Sequence, residues 1–245
     1  MLNWFSKKKE DKLSPLNLSI LKTDIHSHFI PGIDDGSPDM ETSILLIKKM
    51  QELGYSRVIT TPHVMSDFYK NSSETILKGL AAVRSELKLQ NINMDINAAA
   101  EYYLDFDFEQ KIGKEKFLTF GGNYILVELS FMQVPKNLFD IIFKLQMEGY
   151  KVVLAHPERY VYYNQEDYDS LIIRGVLFQI NLLSLIGYYS PQIQQKTKEL
   201  IAKDQVSFVG TDCHNMNHAD LYEKCQTKRA WHDLVNSGKL LNDTL

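Results

Sequence analysis

Short apolar runs recur along the chain, and at six of them a histidine or a carboxylate follows. Segments with helical periodicity separate these runs. The pattern predicts a first strand that ends near residue 27 and further strands at about 57–61, 94–100, 124–129, 151–155, 176–180 and 206–210. It predicts about seven intervening helices, the last at roughly 219–236. The side chains at the ends of the strands are His26, His28, His63, Glu101, Glu128, His156, Asp212 and His214.

Strands that alternate with helices indicate an α/β fold with a parallel sheet. If that sheet closes into a barrel, the carboxyl ends of its strands meet at one face, where barrel enzymes place their chemistry. The eight side chains would then converge on one mouth. Eight nitrogen and oxygen ligands exceed what one ion takes, and they suit a cluster of two or three divalent metals.

Each of these side chains is a weak signal by itself. Glu101 or Glu128 could instead cap a helix, and His156 could be a core histidine with ordinary hydrogen bonds. Their coincidence is the stronger argument, because five of the seven histidines lie at predicted strand ends. Two acids buried at a barrel mouth would be costly without cations, and metals remove that cost. Asp34 and Asp35 are candidates for a further oxygen ligand.

Composition narrows the class of protein. A length of 245 residues suits one or two domains, and single α/β barrels are commonly this long. The net charge of −4 gives no electrostatic support for nucleic-acid binding. Two cysteines form no disulfide framework and fit a reducing compartment. With no apolar span and no signal peptide, we expect a cytoplasmic protein.

Residues 1–20 are predicted to form a flexible tail, and residues 21–245 a single domain. The tail carries Trp4 and Phe5 beside the lysines at 7–9. Such a segment could touch the inner face of a membrane or a partner, although a disordered leader is the simpler interpretation.

Arg159 lies just beyond His156, above the expected metal cluster. A guanidinium near divalent metals suits a phosphate monoester, whereas a surface ion pair with Glu158 or Asp167 is the alternative. The sequence contains no P-loop, no dinucleotide-binding glycine motif and no Gly-x-Ser-x-Gly turn. A serine or cysteine nucleophile therefore has no support.

Seven short motifs together resemble the polymerase and histidinol phosphatase (PHP) superfamily. Within it, the chain is similar to the bacterial tyrosine-protein phosphatases encoded with capsule and exopolysaccharide genes, over about residues 20–235. The motifs are Asp24-Ile-His-Ser-His28, Asp34-Asp35-Gly36, Thr61-Pro-His63, Ala100-Glu101-Tyr102, Val127-Glu128, Ala155-His-Pro-Glu-Arg159 and Thr211-Asp-Cys-His-Asn215.

The resemblance implies a distorted seven-stranded (β/α) barrel with three metals, usually manganese, although iron, zinc or cobalt would suit the same ligands. Arg159 would bind the substrate phosphate. The substrate would be a phosphotyrosine protein, a membrane-associated tyrosine autokinase that controls polysaccharide export. A homo-oligomer is compatible with the sequence. The implied ligand sets are His26, His28, Glu101 and Asp212 for the first metal; Glu101, Glu128 and His156 for the second; and Asp35, His63 and His214 for the third.

The chain departs from the family pattern in the last motif. The family usually has a second arginine a few residues after the His-Asn pair, but here the segment contains His218 and no arginine. His218 or a more distant cation would take its place. Three alternatives to a protein-tyrosine phosphatase stay open: a small-molecule phosphatase of the histidinol phosphate type, a nuclease, and a module that binds phosphotyrosine or a kinase without catalysis.

Overall fold

The structure, a computed structural model, describes residues 13–245. Within this range nine short parallel strands form two curled sheets, in the orders β1-β2-β4 and β3-β5-β6-β7-β8-β9. The strands are β1 Thr23–Asp24, β2 Arg57–Thr60, β3 His63–Val64, β4 Asp95–Ala98, β5 Glu101–Tyr103, β6 Tyr124–Glu128, β7 Lys151–Ala155, β8 Leu177–Asn181 and β9 Phe208–Gly210.

In the described part of the chain, eight α-helices cover the strands. They are α1 Met40–Glu52, α2 Ser73–Leu89, α3 Phe106–Lys111, α4 Leu138–Met147, α5 Gln165–Ile173, α6 Pro191–Ala202, α7 Met216–Ala219 and α8 Arg229–Asn236. The long final helix predicted at 219–236 is instead interrupted by a 3₁₀ turn at Tyr222–Cys225. Among the residues described, the longest helices are too polar or too short to cross a bilayer.

The predicted count of seven strands is not confirmed, because two of the predicted strands are each followed at once by a further short strand that joins the other sheet. β2 and β3 are separated around Pro62, which has no N–H to donate to a strand ladder. β4 and β5 are separated by Ala99 and Ala100. The two sheets also meet at the end of the chain: the His28 N–H donates to the Cys213 carbonyl over 3.0 Å.

Alternate residues of a strand pack on opposite faces, and the core follows this rule. Val152 and Leu154 of β7 belong to the large cluster beneath the helices, whereas Val153 and Ala155 belong to a smaller one. The smaller cluster also contains Ile59 of β2 and Phe208 of β9, one residue from each sheet. The two sheets therefore share an apolar layer, and their carboxyl ends are held together.

Ordered packing begins before the predicted domain boundary at residue 21. Leu18 is fully buried in a 3₁₀ turn at Leu18–Leu21. The Leu16 N–H donates to the Gln226 carbonyl over 3.0 Å, and the Trp231 indole N–H donates to the Leu16 carbonyl over 2.8 Å. Residues 13–20 of the predicted tail thus pack against the domain, and residues 1–12, with Trp4 and Phe5, lie outside the described range.

Candidate metal centre

The structure brings all nine sequence-predicted ligands together at the carboxyl ends of the strands. Their ligand atoms form four overlapping groups, each within 4.8 Å. These four groups contain the same nine residues as the three ligand sets implied by the resemblance, but they divide the residues differently. The groups are His28 with Asp35, His63 and His214; His26 with His28 and Glu101; His26 with His156 and Asp212; and His63 with Glu101 and Glu128.

Glu101 lies at the centre of the cluster and is fully buried. Its Oε2 atom lies 3.0 Å from His26 Nε2 and 3.1 Å from His63 Nδ1. Its Oε1 atom lies 3.0 Å from His156 Nε2. Glu101 comes at the start of β5, so the break between β4 and β5 places a carboxylate where three other segments converge. Its two oxygens face different imidazoles, as a bridging ligand requires.

Asp212 follows β9 and faces both sides of the cluster. Its Oδ1 atom lies 3.4 Å from His26 Nε2 and 3.4 Å from His28 Nε2. Asp212 and His156 both have left-handed backbones, with φ values of +52° and +34°. Non-glycine residues rarely adopt this conformation, and strained backbones of this kind concentrate at functional sites.

Asp34 and Asp35 are both candidates from the residues alone, and the resemblance implies Asp35; in the structure the two side chains have different surroundings. Asp35 is half-exposed, and its Oδ1 atom lies 3.5 Å from His63 Nε2 and 3.4 Å from His214 Nε2. Asp34 is set back from the cluster, and its Oδ2 atom lies 2.8 Å from His28 Nδ1. Asp34 therefore orients His28 by accepting a hydrogen bond from Nδ1–H, which leaves Nε2 free as a ligand.

The electrostatics of these side chains fit bound cations. Burial, followed by the charge of Glu101, holds the pKa of Glu128 well above its usual range. Burial also opposes ionisation of Asp212, but His26 and His214 outweigh it and the pKa of Asp212 lies well below its usual value. His28 Nε2 is buried without a hydrogen-bond partner and points at the carboxylates. A divalent cation would supply the missing partner, so the residues present fit a metal cluster.

A cleft of about 400 Å³ opens over the cluster. Arg159 lies in it between the rings of Phe131 and Tyr189, with Cζ 4.6 Å from each ring centre. Its Nη1 atom lies 3.1 Å from Asp212 Oδ2. Arg159 is therefore part of the site and makes no ion pair with Glu158 or Asp167 in the structure. The lining residues are Asp35, His63, Glu128, Phe131, His156, Arg159, Tyr189, Asp212, His214, Asn215 and His218.

His218 lies at the rim of this cleft, in the short helix α7 that follows β9. Its Nδ1 atom lies 3.3 Å from the Asp212 carbonyl oxygen and 3.5 Å from the His214 backbone nitrogen. Its ring packs edge-on against Tyr188. Burial, followed by the nearby His214, lowers the pKa of His218. The side chain thus lies at the rim as a hydrogen-bonding group, and its role in place of the second arginine stays a prediction.

Sequence reasoning missed four residues that touch the site: Phe131, Gln179, Asn181 and Tyr189. Gln179 and Asn181 had a detectable signal, because they are polar residues at alternate positions of the apolar strand β8. Both are fully buried, which requires hydrogen-bond partners inside the protein. Phe131 and Tyr189 lie in loops, and their contacts with Arg159 have no local sequence signal.

Curled parallel sheets with imidazoles and carboxylates grouped at their carboxyl ends are typical of metal-dependent hydrolases built on an α/β barrel. Residues 22–229 match the model of a family described as capsular polysaccharide synthesis, CpsB/CapC. The chain belongs to this family.

Individual relatives agree with that membership. The tyrosine-protein phosphatase YwqE of Bacillus subtilis is 30% identical over 200 residues, covering 79% of this chain and 77% of the relative. The tyrosine-protein phosphatase CpsB of Streptococcus pneumoniae is 26% identical over 207 residues, covering 81% and 85%.

Solved structures are similar as well. One of YwqE from B. subtilis and CpsB from S. pneumoniae, described as unique metal-dependent tyrosine phosphatases, matches with a TM-score of 0.78 and 26% identity. The match covers 87% of this chain and 91% of the other. A histidinol phosphate phosphatase from Lactococcus lactis matches with a TM-score of 0.50 and 15% identity, over 89% of this chain and 98% of the other. At this identity the second match shows the fold alone.

Proposed function

We propose that this protein is a metal-dependent phosphomonoesterase that removes phosphate from tyrosine side chains of proteins in capsular or exopolysaccharide synthesis. The observation that carries the proposal is the position of Arg159: its guanidinium lies in a cleft whose floor is the ligand cluster, 3.1 Å from Asp212. A fixed cation beside a metal cluster suits a phosphate monoester, which carries two negative charges and several acceptor oxygens.

For the metals we keep the three sets implied by the resemblance, with Glu101 shared between two of them. His26, His28 and Asp212 complete the first set with Glu101, and Glu128 and His156 complete the second. Asp35, His63 and His214 form the third set. The ligands are nitrogen and oxygen atoms, and manganese is our choice among the divalent metals that suit them. Bound metals would supply positive charge that stabilises the transferring phosphoryl group and lowers the pKa of water.

The chain's own residues bind and orient the substrate. Arg159 is held between two aromatic rings, so its planar group is oriented before the substrate arrives. To bind a phosphate it exchanges its contact with Asp212 for phosphate oxygens, or shares its remaining N–H groups with them. His218 Nε2 offers a further hydrogen bond at the rim, since Nδ1 already faces the backbone. The phenolate of tyrosine is a fair leaving group, with a pKa near 10 in the free side chain.

The physiological substrate we propose is a membrane-associated tyrosine autokinase. Its support is the family's link to capsular polysaccharide synthesis and the name tyrosine-protein phosphatase carried by YwqE and CpsB. The cleft is open and half of Asp35 is exposed, which suits a phosphotyrosine presented on a protein surface better than a small enclosed metabolite. A cytoplasmic location and a homo-oligomer remain part of the proposal.

The test is hydrolysis of para-nitrophenyl phosphate and of a phosphotyrosine peptide by protein stripped with chelator and then given Mn²⁺. His156→Ala and Arg159→Ala carry the site assignment. His232→Ala and Arg174→Ala are matched controls, because His232 bonds the Gln226 carbonyl and Arg174 stacks on Phe139, both away from the cleft. We expect Mn²⁺ to restore turnover in the wild type and controls but not in the two site variants.

Two results would overturn the proposal. Absence of turnover with every divalent metal, despite tight metal binding, would indicate a module that binds phosphotyrosine without catalysis. A strong preference for aliphatic over aryl phosphates would indicate a small-molecule phosphatase of the histidinol phosphate type.

A further inference from the structure

Strand β8 places two amide side chains behind the metal ligands. Gln179 and Asn181 are both fully buried, and alternation along the strand puts them on the same face. Gln179 Oε1 lies 2.8 Å from His26 Nδ1. Gln179 Nε2 donates to Asn181 Oδ1 over 3.0 Å, and Asn181 Nδ2 donates to Asp212 Oδ2 over 2.7 Å. The two amides thus form a hydrogen-bonded chain between two ligands from different sheets.

The direction of every hydrogen bond in this chain follows from the charge at its end. An ionised Asp212 offers only acceptors, so the Asn181 NH₂ group must face it. Asn181 Oδ1 is then the acceptor that faces Gln179, and Gln179 must donate with its own NH₂ group. Gln179 Oε1 consequently faces His26 and accepts a hydrogen bond from Nδ1–H. The tautomer that results leaves the Nε2 lone pair of His26 free, and Nε2 lies 3.4 Å from Asp212 Oδ1.

We propose that Gln179 and Asn181 are positioning residues that couple Asp212 to His26, so that the carboxylate fixes the ring and the tautomer of the histidine with which it shares a metal. Two of the other histidines are oriented differently: His28 by the carboxylate of Asp34 and His214 by the Asp212 carbonyl. His26 is fully enclosed, and a carboxylate in place of Gln179 would add another charge to a cluster already rich in acids.

A glycine in β9 makes room for this chain. A Cβ atom at Gly210 would lie 2.6 Å from His26 Cβ and 2.7 Å from Gln179 Nε2. Both contacts are shorter than real Cβ atoms allow, although the backbone of Gly210 has no left-handed φ. Glycine at residue 210 is therefore explained by the close approach of His26 and Gln179. This supports the contact between the two side chains as a specific feature of the fold.

The experiment measures metal binding without substrate. Chelator-stripped protein is titrated with Mn²⁺ by calorimetry, and bound metal is counted after dialysis. Outer residues that orient a metal ligand typically contribute ten- to a hundredfold to metal affinity. We expect Gln179→Met and Asn181→Leu each to weaken one site by about that factor. Gln179→Glu keeps an acceptor for His26 Nδ1 but has no donor for Asn181 Oδ1, so it should lose less affinity than Gln179→Met without keeping that of the wild type.

Asn242→Leu is the matched control. Asn242 is a fully buried amide that ties β1 to β9 through Thr23 and Val209, without touching a ligand. Its loss should lower the unfolding temperature and leave metal affinity unchanged. Affinities of the Gln179 and Asn181 variants within twofold of the wild type, or an equal loss in Asn242→Leu, would overturn the proposal.

Two further measurements keep the inference testable. The inference rests on the ligand assignment proposed above, so Mn²⁺ binding by His26→Ala is titrated in parallel. Unchanged Mn²⁺ affinity in His26→Ala would refute the ligand assignment. Lower affinity in His26→Ala but not in Gln179→Met would refute only the coupling of Asp212 to His26. If the Gln179 and Asn181 variants fail to fold, nitrogen NMR of the Zn²⁺-loaded wild type reads the tautomer. We expect the proton of His26 on Nδ1, and a proton on Nε2 would contradict the proposal.

Discussion

Asp212 Oδ2 lies 3.1 Å from the guanidinium of Arg159, while Oδ1 of the same carboxylate faces the imidazoles of His26 and His28. One side chain therefore joins the cation at the cleft mouth to the ligand cluster beneath it. The contact holds Arg159 over the cluster before substrate arrives. It also means that a phosphate bound by Arg159 would lie within reach of whatever the cluster holds.

Replacing Arg159 with lysine should remove the fork of N–H groups while keeping a positive charge. Hydrogen bonds to charged groups contribute about 1.5–3 kcal/mol, so we expect kcat/KM for a phosphotyrosine peptide to fall about ten- to a hundredfold. Metal content should not change, since Arg159 is not a ligand. Steady-state kinetics with a parallel metal count test this, and an unchanged kcat/KM would remove Arg159 from the phosphate site.

Phe131 is 41% exposed, and its ring covers both Arg159 and His156. The exposed part of the ring is placed to meet the phenyl ring of a phosphotyrosine. Aromatic pairs contribute about 0.5–1.5 kcal/mol, so Phe131→Ala should lower kcat/KM for aryl phosphates roughly two- to tenfold. Alkyl phosphates should be affected less. Phe143→Ala, an exposed phenylalanine on α4, is the control, and equal losses for aryl and alkyl phosphates would contradict the idea.

Glu128→Gln should change the metal-free and metal-loaded proteins in opposite directions. Burial and the neighbouring Glu101 hold the pKa of Glu128 well above its usual range, which costs stability at neutral pH. Without metal, the variant removes this cost and should raise the unfolding temperature. For a chain of this size, each kcal/mol corresponds to about 2–4 °C. With Mn²⁺ the variant loses a ligand, so the stabilisation that metal gives to the wild type should shrink. Thermal unfolding with and without chelator tests both signs, and shifts in the same direction would exclude the proposed role.

The strand ends could be predicted from sequence because the signal is local. An apolar run followed at once by a histidine or a carboxylate shows both the strand and the ligand, as at Glu128 and His156. For the same reason, the predicted strand bounds agree with those of the structure to within a few residues. The two short strands β3 and β5, which join the second sheet, depend on how the sheets curl. Pro62 before β3 is a local sequence signal for a break, and no comparable signal precedes β5.

What the sequence could not predict depends on contacts between distant residues. His26 and Gln179 are 153 residues apart, and Leu16 and Trp231 are 215 residues apart. Neither pair has a pattern that marks one residue as the partner of the other. The amides of β8 were visible as polar residues in an apolar strand, but their partners emerge only when the strands are placed side by side.

The packed segment before β1 changes how the N-terminal tail should be tested. Deletion of residues 1–12 removes Trp4, Phe5 and the lysines at 7–9 but leaves Leu16 and Leu18. We expect this deletion to weaken binding to anionic vesicles and leave turnover of para-nitrophenyl phosphate unchanged. Deletion of residues 1–20 should also destabilise the domain, because burial of Leu18 alone contributes about 1.5–3 kcal/mol. Equal vesicle binding by the full chain and the shorter deletion would reject a membrane role.

Glu158 should make stability depend on pH independently of the metal ligands. The side chain is fully buried, and its Oε1 atom accepts from the Asn181 N–H over 2.8 Å and from the Ser184 hydroxyl over 2.7 Å. Its Oε2 atom has no partner. Burial is the main influence and raises the pKa of Glu158 from its ordinary 4.5 to about 7, against the two hydrogen bonds and Arg159, which lower it.

Because this pKa is higher in the folded than in the unfolded protein, the folded protein holds a proton that the unfolded chain releases between pH 4.5 and about 7. The contribution of Glu158 to stability is therefore complete below pH 4.5 and is lost as the pH rises through 7. At about 1.4 kcal/mol per pH unit the loss is roughly 3 kcal/mol at most. Glu158→Gln does not titrate, so the free energy of unfolding of the wild type minus that of the variant should fall with pH over this window. Urea unfolding with saturating Mn²⁺ measures this difference in the free energy of unfolding. Glu74→Gln, at an exposed residue, is the control. A difference that stays constant with pH would show that Glu158 is ionised in the folded protein throughout this window.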